Sequence, residues 1–448
     1  MMKKVDILII GAGPAGMVAA TTAKKYYPNK SIAIIKSIKA GCIPCGIPYM
    51  FSSLKDPSDN KLKTGALEKK GVEVFIDAVT SIDSETKKVK TKEGKEYSYQ
   101  KLILAIGSDP IVPSIEGIDK EGVFPIYKDM GYLKEAIAQI KKKKKVLVIG
   151  GGFIGVEFAD EISNIDRIDV SLVEMLPHLL LNSFDQEFSQ LVEDKLKKKG
   201  VNIITGARVE KIIGDKKVKE VKLSDGRIVQ AEGVILGIGA RPNIKIAKTA
   251  NLNLDPRGGI AVDEYMRTSN PDIFAVGDCS CKRDFFTRKT VPVMLASTAT
   301  AEARVAGANL YKIKVVRENK GTIAVYSTYI DGLVLSSAGL TEKNAKEEGF
   351  EIIIGEVQGV DKHPGTLPGA QKSRVKLVFS KQSGIILGGQ VSCGMACAQL
   401  INLVGVAIQK RMSATELETL QMATHPYLTS SPTKYPVVLA AQEALKRV

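Results

Sequence analysis

Residues 5–20 read VDILIIGAGPAGMVAA and residues 145–160 read KVLVIGGGFIGVEFAD. Each is a β-branched apolar run that breaks into Gly-x-Gly-x-x-Gly and continues in residues of helical preference. A lone glycine pattern carries little weight, but a strand before it and a helix after it are the setting in which such a loop cradles a dinucleotide pyrophosphate. Both copies have that setting. The first glycine (Gly11, Gly150) permits a tight turn, the second (Gly13, Gly152) lets phosphate approach the backbone, and the third (Gly16, Gly155) lets helix and strand pack closely. With Pro14, Ala15, Phe153 and Ile154 between them, these residues form two candidate nucleotide loops, each presenting helix N-terminal N–H groups to phosphate.

In such units a carboxylate at the end of the second strand, some twenty residues on, binds the ribose 2′-hydroxyl. DVSLVEML places Glu174 there in the second copy. A carboxylate repels a 2′-phosphate and no arginine follows closely, which favours NADH over NADPH. In the first copy SIAIIKS ends in Lys36, so the usual ribose contact is weakened while the phosphate site remains. LILAIGSDP (102–110) and VILGIGARPN (234–243) repeat a strand running into a glycine turn, at Gly107 and Gly239. TSNPDIFAVGDCS (268–280) ends a strand at Gly277 and Asp278, whose carboxylate suits the hydroxyls of a sugar or ribityl chain.

The 448 residues are too many for one ordinary core and suggest about three domains. With 44% hydrophobic and 25% charged residues the chain has enough apolar material for packed interiors. The net charge of +15 favours anionic partners, but lysine is spread along the chain and aromatics are only 6%, which argues against nucleic acid. Lys141 to Lys145 join a helical stretch to an apolar strand and read as a solvated helix end. Glycines cut the opening apolar run short, so it reads as a buried strand and not a signal peptide. No segment reaches the roughly eighteen unbroken apolar residues of a membrane span, and the cytoplasm is the expected compartment.

Six cysteines without a secretion signal point to reduced or catalytic thiols. KAGCIPCGIPYMF (39–51) sets Cys42 and Cys45 around a proline, and three readings stay open. The spacing suits a thioredoxin-like dithiol. It also suits one working thiol, since Cys45 followed by Gly46 and a helix-opening Pro48 would lie at a helix N-terminus that stabilises a thiolate. Zinc would need two more ligands; Cys279 and Cys281 are too close together for a paired knuckle, so no metal site is expected. Cys393 and Cys397, in an apolar helix-like stretch, read as core, and the three histidines do not cluster.

Taken in order, these motifs resemble the FAD- and pyridine-nucleotide-dependent disulfide oxidoreductases over essentially the whole chain. The resemblance implies an α/β fold with two Rossmann-like nucleotide-binding domains, for FAD and NADH, plus a C-terminal α+β dimerisation domain. It implies a discontinuous FAD domain (1–112 and 246–320), an inserted NADH domain (113–245), a dimerisation domain (321–448) and a homodimer. GAGPAG is implied to bind FAD and GGGFIGVE the nicotinamide nucleotide, with Asp278 at the flavin's ribityl or phosphate region and Glu157 near the nicotinamide pocket. PCGIPY resembles the single-cysteine branch of coenzyme A disulfide reductases, persulfide reductases and NADH oxidases, in which Cys45 is the matching nucleophile. The activity implied passes hydride from NADH through flavin to Cys45, which reduces a disulfide, persulfide or polysulfide. The alternative reduces oxygen, a metal ion or an electron carrier from the flavin directly. Cys42 is then a resolving thiol or a neighbour.

Several positions depart from that branch. Lys36 stands where an acid is usual and Ile106 where a threonine is. HPGTLPG has Thr366 and Leu367 in place of the tyrosines of coenzyme A disulfide reductases. The second substrate tyrosine falls near ATHPYLTSSP, where His425 or Tyr427 can substitute. His425 before Pro426 also resembles the proton-donating histidine of glutathione-type reductases, with Ser430 where an orienting glutamate would stand.

Overall fold

The computed structural model describes residues 2–316 and 318–447. The chain forms two compact units, one of residues up to Ile111 with Ile126–Ala138 and Ala240–Thr322, the other of Val112–Pro125, Gln139–Gly239 and the residues from Ile323 on.

In the first unit the run quoted at the outset becomes the central strand Lys3–Ile10 of a seven-stranded sheet. Ile32–Lys36 and Glu96–Leu104 flank it in parallel, Val72–Ile76 extends one side and Ile273–Ala275 pairs in parallel with Glu96–Leu104. The antiparallel strands Lys88–Thr91 and Val79–Asp83 complete the other side. Ile7 and Ile9 face a core shared with Ala19, Ala23, Ala303 and Ala306, whereas Leu8 and Ile10 face Ala33, Leu102 and Ile260. Burial on both faces explains why this strand reads as a continuous apolar run and not an alternation. The helices Pro14–Tyr26 and Ala296–Ala308 meet through alanines, and a Cβ at Gly307 would lie 2.8 Å from the Ala19 carbonyl oxygen, so small residues set their close approach.

The second unit repeats the device. Lys145–Ile149 lies between Asp169–Val173 and Gly233–Leu236, with Asn202–Ile204 and Val123–Pro125 outermost, all parallel. Lys141 to Lys145 are largely exposed between the helix Met130–Ile140 and this central strand, as a solvated helix end requires. An antiparallel three-stranded sheet (Val209–Ile213, Glu220–Leu223, Ile228–Gln230) packs beside it. The same unit contains an antiparallel five-stranded sheet in the order Tyr326–Ile330, Leu333–Gly339, Ile386–Cys393, Lys372–Ser380, Ile352–Val360. Helices Leu400–Lys410 and Pro436–Leu445 cover it; a Cβ at Gly355 would sit 1.7 Å from the Ala440 carbonyl oxygen, so that helix rests directly on the strand backbone. The architecture is therefore α/β with two Rossmann-like sheets and a C-terminal α+β portion, as the motifs imply.

A buried charge hub joins elements within this unit. Lys376, 3% exposed, sends its Nζ to Asp185 at 2.9 Å and to Glu187 and Glu342 at 2.6 Å each. Asp185 also accepts from Gln390 Nε2 at 2.5 Å and from the backbone N–H of Glu342 at 3.2 Å. Asp185 stands directly before the helix Gln186–Lys198, so the hub ties the start of that helix to the C-terminal sheet.

Candidate active site

The two glycine loops are near-copies in backbone as well as sequence. Gly11 and Gly150 have φ of 105° and 103°, in the left-handed region that favours glycine, and a Cβ there would meet the carbonyl oxygens of Ala105 at 2.1 Å and Gly237 at 2.7 Å. At Gly16 and Gly155 a Cβ would lie 2.0 and 1.7 Å from the carbonyl oxygens of Gly11 and Gly150. At Gly13 and Gly152, by contrast, a Cβ would meet nothing within 4 Å. The protein leaves that space open beside helix N-termini that lack a side-chain cap and any acid in the first turn. Those are the features that receive a pyrophosphate, so both loops fit the dinucleotides expected of them.

The residues after the second strands behave differently. Glu174 takes the N–H of Gly151 on Oε2 at 2.6 Å and that of Leu176 on Oε1 at 2.8 Å, so its carboxylate braces the loop it serves. Lys36 instead donates to the Lys39 carbonyl at 3.2 Å. Burial holds its pKa below the usual lysine value, and Lys61 nearby pushes the same way against Glu68.

Within the first unit, the thiol segment is anchored at both sides. Gly41 bridges to Asp129 and Cys42 to Lys61, and Asn60 Nδ2 donates to the Ile43 carbonyl at 3.0 Å. Cys42 is 3% exposed and burial pushes its thiol up to about 11, opposed by lysine charge at Lys128. Cys45 is exposed, and no disulfide joins the two. The expected helix start at Cys45 is replaced by two short 3-10 turns, Pro44–Gly46 and Pro48–Met50. Pro48 has no N–H to return to the Pro44 carbonyl, so the chain closes one residue earlier, with the Ile47 N–H on Pro44 at 3.2 Å.

Asp278 lies in a turn, Gly277–Cys279, directly after the strand Ile273–Ala275 and Val276. Its Oδ2 accepts from Ser108 Oγ at 2.7 Å and from Lys128 Nζ at 3.3 Å, and Lys128 also donates to Ser108 Oγ at 2.8 Å. Beneath the turn, Glu302 Oε2 accepts the Gly277 N–H at 2.8 Å, while Lys282 Nζ donates to the Gly277 carbonyl at 2.6 Å and pairs with Glu302 at 3.1 Å. Burial raises the Glu302 carboxyl against the pull of Lys282. Ser108, Lys128, Lys282 and Glu302 were not singled out from sequence; only Ser108, next to Gly107, stood inside a noted motif. Gly107 and Gly239 both have positive φ, and the strands Ser108–Pro110 and Ala240–Pro242 that follow them pair antiparallel in this unit.

In the second unit, Glu157 sits one turn into the helix Phe153–Ser163 and accepts from Thr328 Oγ1 at 2.8 Å. Burial, aided by Asp160 and Glu161 and opposed by the Thr328 hydrogen bond, pushes its carboxyl up to about 7. His425 and Tyr427 belong to this unit, with Cys45 in the other. Both are exposed; the Tyr427 N–H donates to His425 Nδ1 at 3.3 Å, and Lys362 lies 5.7 Å from the Tyr427 ring. Cys279, Cys281, Cys393 and Cys397 are buried.

The signature of the pyridine nucleotide-disulphide oxidoreductases matches residues 5–303, and that of the family's dimerisation domain matches residues 325–435. The chain is 32% identical to the NADH oxidase of Methanocaldococcus jannaschii, over 98% of this chain and 99% of that one. It is 31% identical to the NAD(P)H coenzyme A polysulfide/persulfide reductase of Pyrococcus horikoshii, over 87% of each. The NAD-dependent persulfide reductase of A. fulgidus superposes with a TM-score of 0.91 at 31% identity, covering 99% of this chain and 83% of that one. With both nucleotide loops, the Gly-Asp turn and the C-terminal sheet in place, the chain belongs to the pyridine nucleotide-disulphide oxidoreductase family.

Proposed function

We propose that the protein is an NADH-dependent flavoprotein whose Cys45 thiol reduces a disulfide, persulfide or polysulfide, coenzyme A disulfide and persulfide among the candidates. The observation that carries this reading is the contrast between the two thiols. Cys45 is exposed on a turn, whereas Cys42 is buried and held protonated. The first loop (Gly11, Gly13, Pro14, Ala15, Gly16), with Lys36, Gly107, Gly277 and Asp278, would hold FAD. The second (Gly150, Gly152, Phe153, Ile154, Gly155), with Glu157, Glu174 and Gly239, would hold NADH. Bound there, the two cofactors supply the two-electron relay that returns oxidised Cys45 to its thiolate.

The chain's own chemistry at Cys45 is thiol–disulfide exchange. The Cys45 thiolate attacks one sulfur of the acceptor, the S–S bond breaks, one thiolate leaves and the other fragment stays as a mixed disulfide on Cys45. Two electrons then cleave that mixed disulfide, releasing the second thiolate. Asp278, fixed by Ser108 and Lys128, orients ribityl hydroxyls, and Glu174 braces the loop that receives the nicotinamide nucleotide. His425 is the candidate proton donor and Tyr427 a candidate substrate contact.

The same reading divides the chain into an FAD domain (1–112 and 246–320), an NADH domain (113–245) and a dimerisation domain (321–448), and takes the working form as a cytoplasmic homodimer. No helix among the described residues is long and apolar enough to cross a membrane. A second reading, direct reduction of oxygen, a metal ion or an electron carrier with Cys45 incidental, is supported by the relative from M. jannaschii that is named an NADH oxidase. Mass spectrometry of the protein quenched during turnover separates the two. A mixed disulfide or persulfide on Cys45 supports the thiol route, and an unmodified Cys45 throughout turnover of a sulfur acceptor contradicts it.

A further inference from the structure

Lys282 and Glu302 form an ion pair at 3.1 Å in the interior of the first unit, where they are 5% and 2% exposed. Glu302 shares the helix Ala296–Ala308 with the core residues Ala299, Ala303 and Ala306. Two charges brought out of water are costly, and apolar side chains of similar volume often serve stability as well or better. Packing alone is no reason for this pair. What it touches is specific. Glu302 Oε2 accepts the Gly277 N–H at 2.8 Å and Lys282 Nζ donates to the Gly277 carbonyl at 2.6 Å, so one residue is held by both of its backbone polar groups. Ser280 completes the network: its Oγ donates to the same carbonyl at 2.9 Å, and Lys282 Nζ donates to the Ser280 carbonyl at 2.9 Å and to its Oγ at 2.7 Å.

We infer that Lys282 and Glu302 are positioning residues for FAD, which fix Gly277 so that the Asp278 carboxylate keeps a set spacing from the first glycine loop. The inference rests on the reading that this loop and the Gly-Asp turn bind FAD. Gly277 has φ of 78°, in the left-handed region, and a Cβ there would lie 3.0 Å from the Ala15 Cβ and 3.5 Å from the Ala299 Cβ. The turn is thus pressed against the second residue of the helix Pro14–Tyr26, whose N-terminus serves the first loop. Ser108 and Lys128 hold the Asp278 side chain, and Lys282 and Glu302 hold the backbone that carries it.

A dinucleotide that meets the glycine loop through its pyrophosphate and Asp278 through hydroxyls spans both contacts. Each contact adds fully to the other only while their spacing is fixed in advance, so a loosened turn loses affinity although every contacting group is still present. A neutral pair of similar size keeps the packing but has no donor for the Gly277 carbonyl. The expected signature is a protein that folds as before and lets FAD go.

Flavin fluorescence follows FAD release from the loaded protein after dilution, and far-UV circular dichroism reports the fold. Lys282→Met combined with Glu302→Gln is expected to keep the wild-type far-UV spectrum and to release FAD roughly tenfold faster. Release within about twofold of wild type from that folded double variant would overturn the inference. If the double variant does not fold, Ser280→Ala decides, since it keeps both charges and removes the hydroxyl shared by Lys282, Glu302 and the Gly277 carbonyl. Release more than about twofold faster than wild type then supports the inference, and a smaller change overturns it. A Gly13→Val control marks the parent reading. Faster release in that control beside wild-type release in the double variant overturns the inference alone, and release indifferent to it overturns the assignment of the loop as well.

Discussion

At the scale of single residues, environment separates two cysteines that the sequence sets only three apart. Burial keeps the Cys42 thiol protonated far above neutrality, while Cys45 faces outward. Iodoacetamide at about pH 8 should therefore modify Cys45 and spare Cys42 in the folded protein, as peptide mass spectrometry would show. Equal labelling of both would contradict the assignment of roles. That Glu174 and Asp278 follow the ends of strands was legible in advance, because each stands at a fixed offset from a glycine signal. The side-chain partners of Asp278 and Glu157 were not: Lys128 precedes Asp278 by 150 positions, and Thr328 follows Glu157 by 171, so no local pattern links them. The helix start expected at Cys45 failed for a local reason, Pro48, which was visible but was read as a helix-opening residue and not as a block to the i to i−4 bond.

At the scale of elements, the glycine loops make opposed predictions for similar substitutions. Gly155→Ala forces a Cβ to within 1.7 Å of the Gly150 carbonyl oxygen, so the loop must shift, at a cost of roughly 1–3 kcal/mol by chemical denaturation. Gly152→Ala meets nothing within 4 Å and has φ of −74°, so stability should change by less than about 0.5 kcal/mol while nucleotide affinity falls. Equal stability losses would show that the space at Gly152 is not a ligand's.

The Lys376 hub is the second element-scale case. Its carboxylates raise the lysine's pKa against the opposing effect of burial, and Lys376→Met would strand Asp185, Glu187 and Glu342 around an apolar side chain. A loss of about 3–5 kcal/mol is expected in denaturant titrations, the range for a buried ion pair robbed of one partner. For pH, the sign comes from Glu342, whose folded pKa is held below its ordinary value by Lys346 and Lys376 despite partial burial. Its contribution is present above the unfolded value of about 4.3 and is lost as pH falls through the folded value, so acid should close the gap between wild type and Lys376→Met. A gap that widens in acid would contradict the hub's electrostatic role.

At the scale of the whole molecule, the sequence announced the two Rossmann-like sheets because a parallel sheet buried on both faces leaves a local trace, an apolar run into a glycine turn. The C-terminal sheet left no such mark. Its order interleaves strands far apart in the chain, with Leu333–Gly339 beside Ile386–Cys393, so its strands could be anticipated but not their arrangement. If the matched dimerisation domain acts as its name states, the protein should sediment at twice its chain mass across micromolar concentrations, and a monomer under those conditions would contradict the proposed homodimer.

The proposed function requires Cys45 as the point where electrons leave for substrate. Steady-state NADH consumption without oxygen, with a persulfide or disulfide acceptor, measures this directly in wild type and Cys45→Ser. The substitution is expected to lower turnover roughly a hundredfold or more while the flavin spectrum stays as in wild type. Turnover within about twofold of wild type would contradict it and leave the direct flavin route as the working mechanism.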